Sequence, residues 1–330
     1  KLMLKVVVDA GEATIVYIGG VAQRWDFYIG GSALAQVCAP DLKPVPGRVT
    51  LAPAAVRLLS ARAVTKPLPG GWAHLERMSQ VFLPTPIKPP PLPAEATAAL
   101  AEKALRGFIS GAICARIEAG QSNWLAELRQ TTALFINLPG ITADTPIEQA
   151  QEMFIATQRV VNRYAGSVNQ ISVDDKGVML VALYGLPPLT HEDDALRGTL
   201  AALDVHESLT RLAARVSIGI ATGRLFSGTM GNEGRRIYAL IGDVMNRAAR
   251  LMQAAEGGIL LDDATHQAAH HRTLRGAGPS LHIEPLPPLY DLDESLARGR
   301  DAVSGQGEAL WGSNNTFKTF CIEKGDIALA

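Results

Sequence analysis

Arg236-Ile237-Tyr238-Ala239-Leu240-Ile241-Gly242-Asp243-Val244-Met245-Asn246-Arg247-Ala248-Ala249-Arg250 is the stretch on which the reading of this chain turns. Residues 236–241 read as the second strand of a hairpin, and Gly242 interrupts them. Asp243 stands where an N-cap belongs, so a helix is expected over 243–255. Asn246 and Arg250 are four positions apart and project from one face of its first turns. A neutral amide and a guanidinium aligned in this way can hold a sugar oxygen and a polyphosphate together. The same spacing also suits a solvated helix with a polar stripe, and local sequence leaves both readings open.

Working outward, Val216–Ala221 reads as a strand, followed by the first hairpin arm over 224–230. A helix over about 193–213 presents Leu196, Leu200, Leu203 and Leu212. Strands are expected at about 167–173 and 178–184, with Asp175-Lys176-Gly177 as their turn. Thr145-Pro146-Ile147-Glu148 has the form of a capping box opening a helix whose face is Ala150, Phe154, Val161 and Tyr164. Thr131–Leu138 is a buried strand, and Gly258–Leu261 closes the series. Strand, helix, two strands, helix, strand is the ferredoxin-like α+β order, a βαββαβ core with an added hairpin and helix.

The chain also repeats itself. Setting Gly11 against Gly223 gives a constant offset of 212 that runs without a gap to Cys38, with five identities in 28 positions: Gly11, Gly19, Arg24, Ile29 and Gly30. Val49-Thr50-Leu51 against Ile259-Leu260-Leu261 follows after a small shift. Residues 1–65 are therefore read as the C-terminal part of a degenerate first copy. Residues 66–119 form a Pro-rich linker (Leu83 to Pro93 carries six prolines) and a helical approach, 120–285 the complete second copy, and 286–330 an irregular tail. Prolines lack an N–H and fix φ, which is why the linker cannot be a helix or a central strand.

Composition limits the alternatives. A net charge of -1 offers no electrostatic footprint for nucleic acid. No apolar run reaches the roughly 18 residues of a membrane helix. The three cysteines, Cys38, Cys114 and Cys321, lack metal-ligand spacing and point to a reduced, cytoplasmic setting.

Four stretches carry a resemblance: Leu125–Leu138, Val168–Gly185, Val216–Gly231 and Tyr238–Arg250. In them the sequence resembles class III adenylyl and guanylyl cyclases, most closely the second cyclase domain of the soluble, bicarbonate-responsive adenylyl cyclases and their bacterial relatives. Lys5–Gly11 and Arg24–Gly31 resemble the end of the first cyclase domain. The resemblance implies conversion of ATP to 3′,5′-cyclic AMP and pyrophosphate in intracellular signalling, at a site shared by two cyclase domains. It further implies that two aspartates of the first domain hold two Mg²⁺ or Mn²⁺ ions, while Asn246 and Arg250 stabilise ribose and phosphates as the catalytic pair. Those aspartates fall upstream of Lys1, so the partner expected is a first cyclase domain of the same chain or of a second protomer, and this chain is assigned no metal ligands.

Departures from the family pattern qualify this expectation. The repeat places Leu34 opposite Asn246 and Cys38 opposite Arg250, so the mirror site lacks the pair. Asn137 stands where a metal-binding copy has aspartate; Asp174 and Asp175 stand near the family's other metal position, and the simpler reading of them is a solvated turn with Lys176. Among substrate-binding positions, Gln170 aligns with the family's base-reading lysine, Ala239 with its threonine or aspartate, and Lys5 with a phosphate-contacting lysine. Alanine can make no side-chain hydrogen bond. A catalytically degenerate regulatory or nucleotide-binding module is the alternative. His266, His270 and His271 read as polar surface, and Gly219, Gly223, Gly228 and Gly231 as relief of backbone constraint at strand ends and bends.

Overall fold

A computed structural model describes residues 3–37, 45–80, 98–109, 111–118, 120, 127–138, 141, 145–174, 177–212, 215–232, 235–273, 281–289 and 317–324. Its elements run β1 (Val6–Val8), β2 (Thr14–Gly19), β3 (Trp25–Gly30), α1 (Ser32–Val37), β4 (Val49–Leu51), α2 (Pro53–Leu59), β5 (Ala63–Pro67) and β6 (Ala73–Met78). After the linker come α3 (Ala98–Arg106), α4 (Gly111–Glu118), β7 (Glu127–Leu138), α5 (Ile147–Arg163), β8 (Ser167–Asp174), β9 (Gly177–Tyr184) and α6 (Asp194–Arg211). The series ends with β10 (Ser217–Asn232), β11 (Arg235–Ile241), α7 (Asp243–Ala254), β12 (Ile259–Asp262), α8 (Asp263–Thr273), β13 (Leu281–Leu289) and β14 (Phe317–Lys324). By internal contacts the chain divides into two units, one of residues 1–110, 138–155 and 170–179 and the other of the rest.

The large sheet has the order β13-β14-β12-β10-β7-β9-β8, with β11 paired to β10. The run β10-β7-β9-β8 is the ferredoxin-like arrangement expected from the order of elements. β7 is central and carries six consecutive buried residues, Thr131–Ile136, because helices and neighbouring strands leave neither face to water. Leu134, Ile136, Leu180, Ile218, Ile220 and Leu225 are all essentially inaccessible. Each side chain of this size contributes roughly 1.5–3 kcal/mol on burial, which is what fixes the register. On one face of β10, Thr222 meets Thr265 of α8. The opposite face is occupied by α7, which lies against Gly219 and Gly223.

Within the other unit the first copy repeats this plan strand by strand. β1 pairs β4 in parallel with Val6 opposite Val49, as β10 pairs β12 with Ile218 opposite Ile259. The β2–β3 hairpin pairs Gly19 with Trp25, and the β10–β11 hairpin pairs Gly231 with Arg236. Gly19 (φ 123°) and Gly231 (φ 131°) share the positive φ that only glycine adopts without strain. Past this turn the correspondence shifts by one residue, because the first hairpin has one more residue in its loop. The residues between strand and helix are then Gly31 and Gly242, and the position opposite Asn246 is Ala35 rather than Leu34, while Cys38, set opposite Arg250, lies outside the described residues. The conclusion that the first copy lacks the pair is unchanged.

The first-copy sheet, β1-β4-β6-β5, continues beyond residue 65 to Met78. The tail expected to be irregular holds β14, which pairs β12 with Leu261 opposite Phe320 just as β6 pairs β4 with Leu51 opposite Ala73. β13 and β5 correspond as well: Pro285 faces Phe320, and Pro67 faces Ala73. Pro67-Leu68-Pro69 and Pro285-Leu286-Pro287 mark the same place in both copies. The β13–β14 hairpin thus completes the second copy and spans a much longer connection than the five residues between β5 and β6.

Candidate functional site

The β11–α7 junction sets the site. Gly242 occupies the position before the first helical residue and offers no side-chain cap, so Asp243 is not the N-cap expected from sequence. Its carboxylate instead contacts Arg247 one turn on, an i,i+4 pair that suits the positive end of the helix dipole. Val244, Ala248, Leu251 and Met252 are buried along the side of α7 that faces the sheet. That amphipathic burial determines which way the remaining positions point.

Asn246 is exposed and Arg250 half-buried, both displaced around the helix from the buried stripe. Arg247, between them in sequence, turns the other way. Its Nε donates to Asp262 Oδ2 at 3.1 Å and its Nη2 to the Thr222 carbonyl at 3.3 Å. Asp262 is 4% exposed and ends β12. Its Oδ1 accepts from the Thr265 N–H at 2.9 Å and the Thr265 hydroxyl at 2.6 Å, which caps α8. It also accepts from the Thr222 N–H at 3.3 Å. The Thr222 hydroxyl lies 2.8 Å from that of Thr265 and 2.9 Å from that of Thr132 on β7. A guanidinium engaged by two carboxylates and a carbonyl is not available to a phosphate. Arg247, Asp262, Thr222 and Thr265 were not singled out from sequence; the one signal was the aspartate at the strand-helix junction of Leu261-Asp262-Asp263.

Other expected positions fall as follows. Ala239 is half-buried on β11, opposite Gly228 of β10, so neither residue of that pair carries a polar side chain. Gln170 is exposed on β8, and Lys5 is exposed just ahead of β1; both belong to the first unit, whereas Asn246, Arg250 and Ala239 belong to the second. Asn137 is half-buried and opposite Ser217. Asp175, Lys176 and the side chains of Asp174, His270 and His271 lie outside the described residues, and His266 is half-buried on α8. Gly219, the third residue of β10, and Gly223, farther along it, both lie under α7 rather than at a bend. Among the described residues no three His, Cys, Asp or Glu side chains gather into a metal-binding group. They do not fit a divalent-metal cage; what the site residues offer is hydrogen bonding and positive charge.

The sequence is 27% identical to human adenylate cyclase type 10 over 175 residues, 51% of this chain and 11% of that one. Against the rabbit (Oryctolagus cuniculus) adenylate cyclase type 10 the identity is 27% over 238 residues, 66% of this chain and 15% of the relative. The chain is a relative of the class III nucleotidyl cyclases. Its cyclase fold is also that of a solved bacterial light-regulated adenylyl cyclase, 14% identical, with a TM-score of 0.51 over 68% of this chain and 61% of that structure. No family profile matches the sequence. The cyclase relatives of type 10 are far longer, and this chain spans only 11 to 15% of the two compared here. Among the described residues of this cyclase relative, no helix is long and apolar enough to cross a membrane.

Proposed function

We propose that the second copy supplies the nucleotide-holding half of an adenylyl cyclase site, acting on ATP to give 3′,5′-cyclic AMP and pyrophosphate in cytoplasmic signalling. The observation that carries this reading is the division of labour on α7: Arg247 is turned inward and neutralised, while Asn246 and Arg250 are left on the outward side. In the reaction the ribose 3′ oxygen bonds to the α-phosphorus, loses its proton, and the bond from that phosphorus to pyrophosphate breaks. The Asn246 amide fixes the ribose, and the Arg250 guanidinium donates to the phosphate oxygens as charge builds on them. Divalent ions, Mg²⁺ or Mn²⁺, belong with the carboxylates of a partner cyclase domain, from the same chain or a second protomer.

The test is cyclic AMP formation by the full chain joined to a metal-bearing cyclase domain. Arg250→Ala is expected to lower turnover by about 10²–10³-fold, the usual cost of removing one donor from a developing anion, with the melting temperature unchanged. Turnover that survives the substitution overturns the reading. Ala239 favours a second reading, a nucleotide-binding module without turnover, because a half-buried methyl group opposite a glycine gives a purine edge nothing to bond. That version predicts ATP binding dependent on Arg250 and no cyclic product.

A further inference from the structure

The tie between α7 and the strands beneath it is present in one copy of the fold and absent in the other. In the second copy, Asp262 joins Arg247 of α7 to β10, β12 and α8 through one carboxylate. The strand pairings make the corresponding first-copy residues Ala10 for Thr222, Ala52 for Asp262, Ala55 for Thr265 and Gln36 for Arg247. None of the four is charged, and α2 begins on Ala52 with no side-chain cap. Yet Ala52 and Ala55 are as deeply buried as Asp262 and Thr265, so an apolar solution to the same packing problem exists within this chain. Burying the Asp262 carboxylate where alanine suffices costs desolvation, offset here by a half-buried arginine, and an ion pair kept at such a cost can serve to fix one geometry. The first copy has lost the tie together with the Asn and Arg that α7 carries.

We infer that the Asp262–Arg247 ion pair positions Asn246 and Arg250, making Asp262 and Arg247 positioning residues for the nucleotide rather than ligands to it. Arg247 immediately follows Asn246 and lies less than one turn before Arg250. Anchoring its guanidinium at two points outside the helix, the Asp262 carboxylate and the Thr222 carbonyl, fixes the rotation of the first two turns of α7 about the helix axis. The outward pair is thereby set before nucleotide arrives, which lowers the ordering cost of binding. This inference rests on the reading of Asn246 and Arg250 as the nucleotide-holding pair.

The experiment is a fluorescence titration of the full chain joined to a metal-bearing cyclase domain, with N-methylanthraniloyl-ATP in Mg²⁺, alongside urea unfolding of each variant. Asp262→Asn keeps an oxygen for the α8 cap and removes the charge opposite Arg247. Arg247→Met leaves the cap untouched and covers the case in which the first variant folds poorly. Both are expected to weaken binding by about tenfold, and Arg247→Lys to recover all but about threefold, as graded losses of a charge-assisted contact. If Arg250→Ala abolishes binding while Asp262→Asn and Arg247→Met bind as tightly as the unaltered chain, the positioning role is overturned and the pair stands. A lowered urea midpoint with unaltered affinity of the folded protein likewise assigns Asp262 to stability alone and overturns the inference. If the unaltered chain binds no probe, or Arg250→Ala binds it unchanged, the reading of the pair itself fails.

Discussion

Gly219 lies directly beneath the backbone of Ala248: a Cβ built on that glycine would sit 2.1 Å from the Ala248 carbonyl oxygen and 2.2 Å from the amide nitrogen of Met252. α7 therefore rests on β10 backbone to backbone, and the atoms in the way of a side chain belong to a helix that cannot rotate aside. In the first copy the same place in the parallel pairing is held by Val7, so α1 cannot approach its strand as closely.

Gly219→Ala should accordingly lift α7 off the sheet. Overpacking against yielding side chains costs about 1–3 kcal/mol, and here the neighbours are main chain, so a loss of about 3 kcal/mol or more is expected in urea unfolding. A variant as stable as the parent would show that the helix does not lie this close.

Gln151 on α5 clasps the tip of the first hairpin. Its amide nitrogen donates to the Gly19 carbonyl at 2.8 Å, and its amide oxygen accepts the Gly19 N–H at 2.8 Å. Gly19 is buried, so Gln151→Ala leaves a donor and an acceptor unpaired away from water. The expected loss is about 2 kcal/mol, with faster hydrogen exchange at the Gly19 amide. Gln151→Glu should do no better, since a carboxylate cannot donate to the carbonyl. Unchanged exchange at Gly19 in both variants would count against the clasp.

How much of this was readable in the residues follows from the range of each interaction. The βαββαβ core was legible because its strands and helices announce themselves within a dozen residues, and the placing of Asn246 and Arg250 on one helix because four positions make one face, while their role is a proposal. The inward turn of Arg247 was not: it depends on Asp262, which comes within reach only once β12 lies parallel beside β10. β14 escaped notice because its partner strands lie at a distance in sequence and its eight residues, Phe317–Lys324, do not alternate between apolar and polar. The extra residue in the β2–β3 loop was hidden by chance identities at Arg24, Ile29 and Gly30, which favoured an ungapped alignment that the hairpin registers do not follow. Glycines under α7 and glycines at bends look alike in sequence; only the packed helix tells them apart.

Asp26 gives the first unit a pH dependence whose sign can be worked out. The residue is 8% exposed on β3; its Oδ1 bonds to Arg24 at 3.0 Å, and its Oδ2 is buried with no hydrogen-bond partner among the described residues. Burial raises its pKa from 3.8 to about 6, against the opposing pull of the Arg24 guanidinium. A carboxyl that holds its proton more tightly when folded favours the folded state below the unfolded value and loses that contribution as pH rises through about 6. At neutral pH the ionised group is therefore a standing cost, and Asp26→Asn, which mimics the protonated shape, should stabilise the protein by about 2 to 3 kcal/mol. The advantage should shrink through the window between about pH 6 and pH 4 and vanish below it, where the parent carries the proton too. Urea unfolding of parent and variant across that window is the measurement. Other carboxylates titrate equally in both proteins and cancel in the difference. A gap that stays constant on acidification would show that Asp26 is not the group responsible, because only its own protonation can close it.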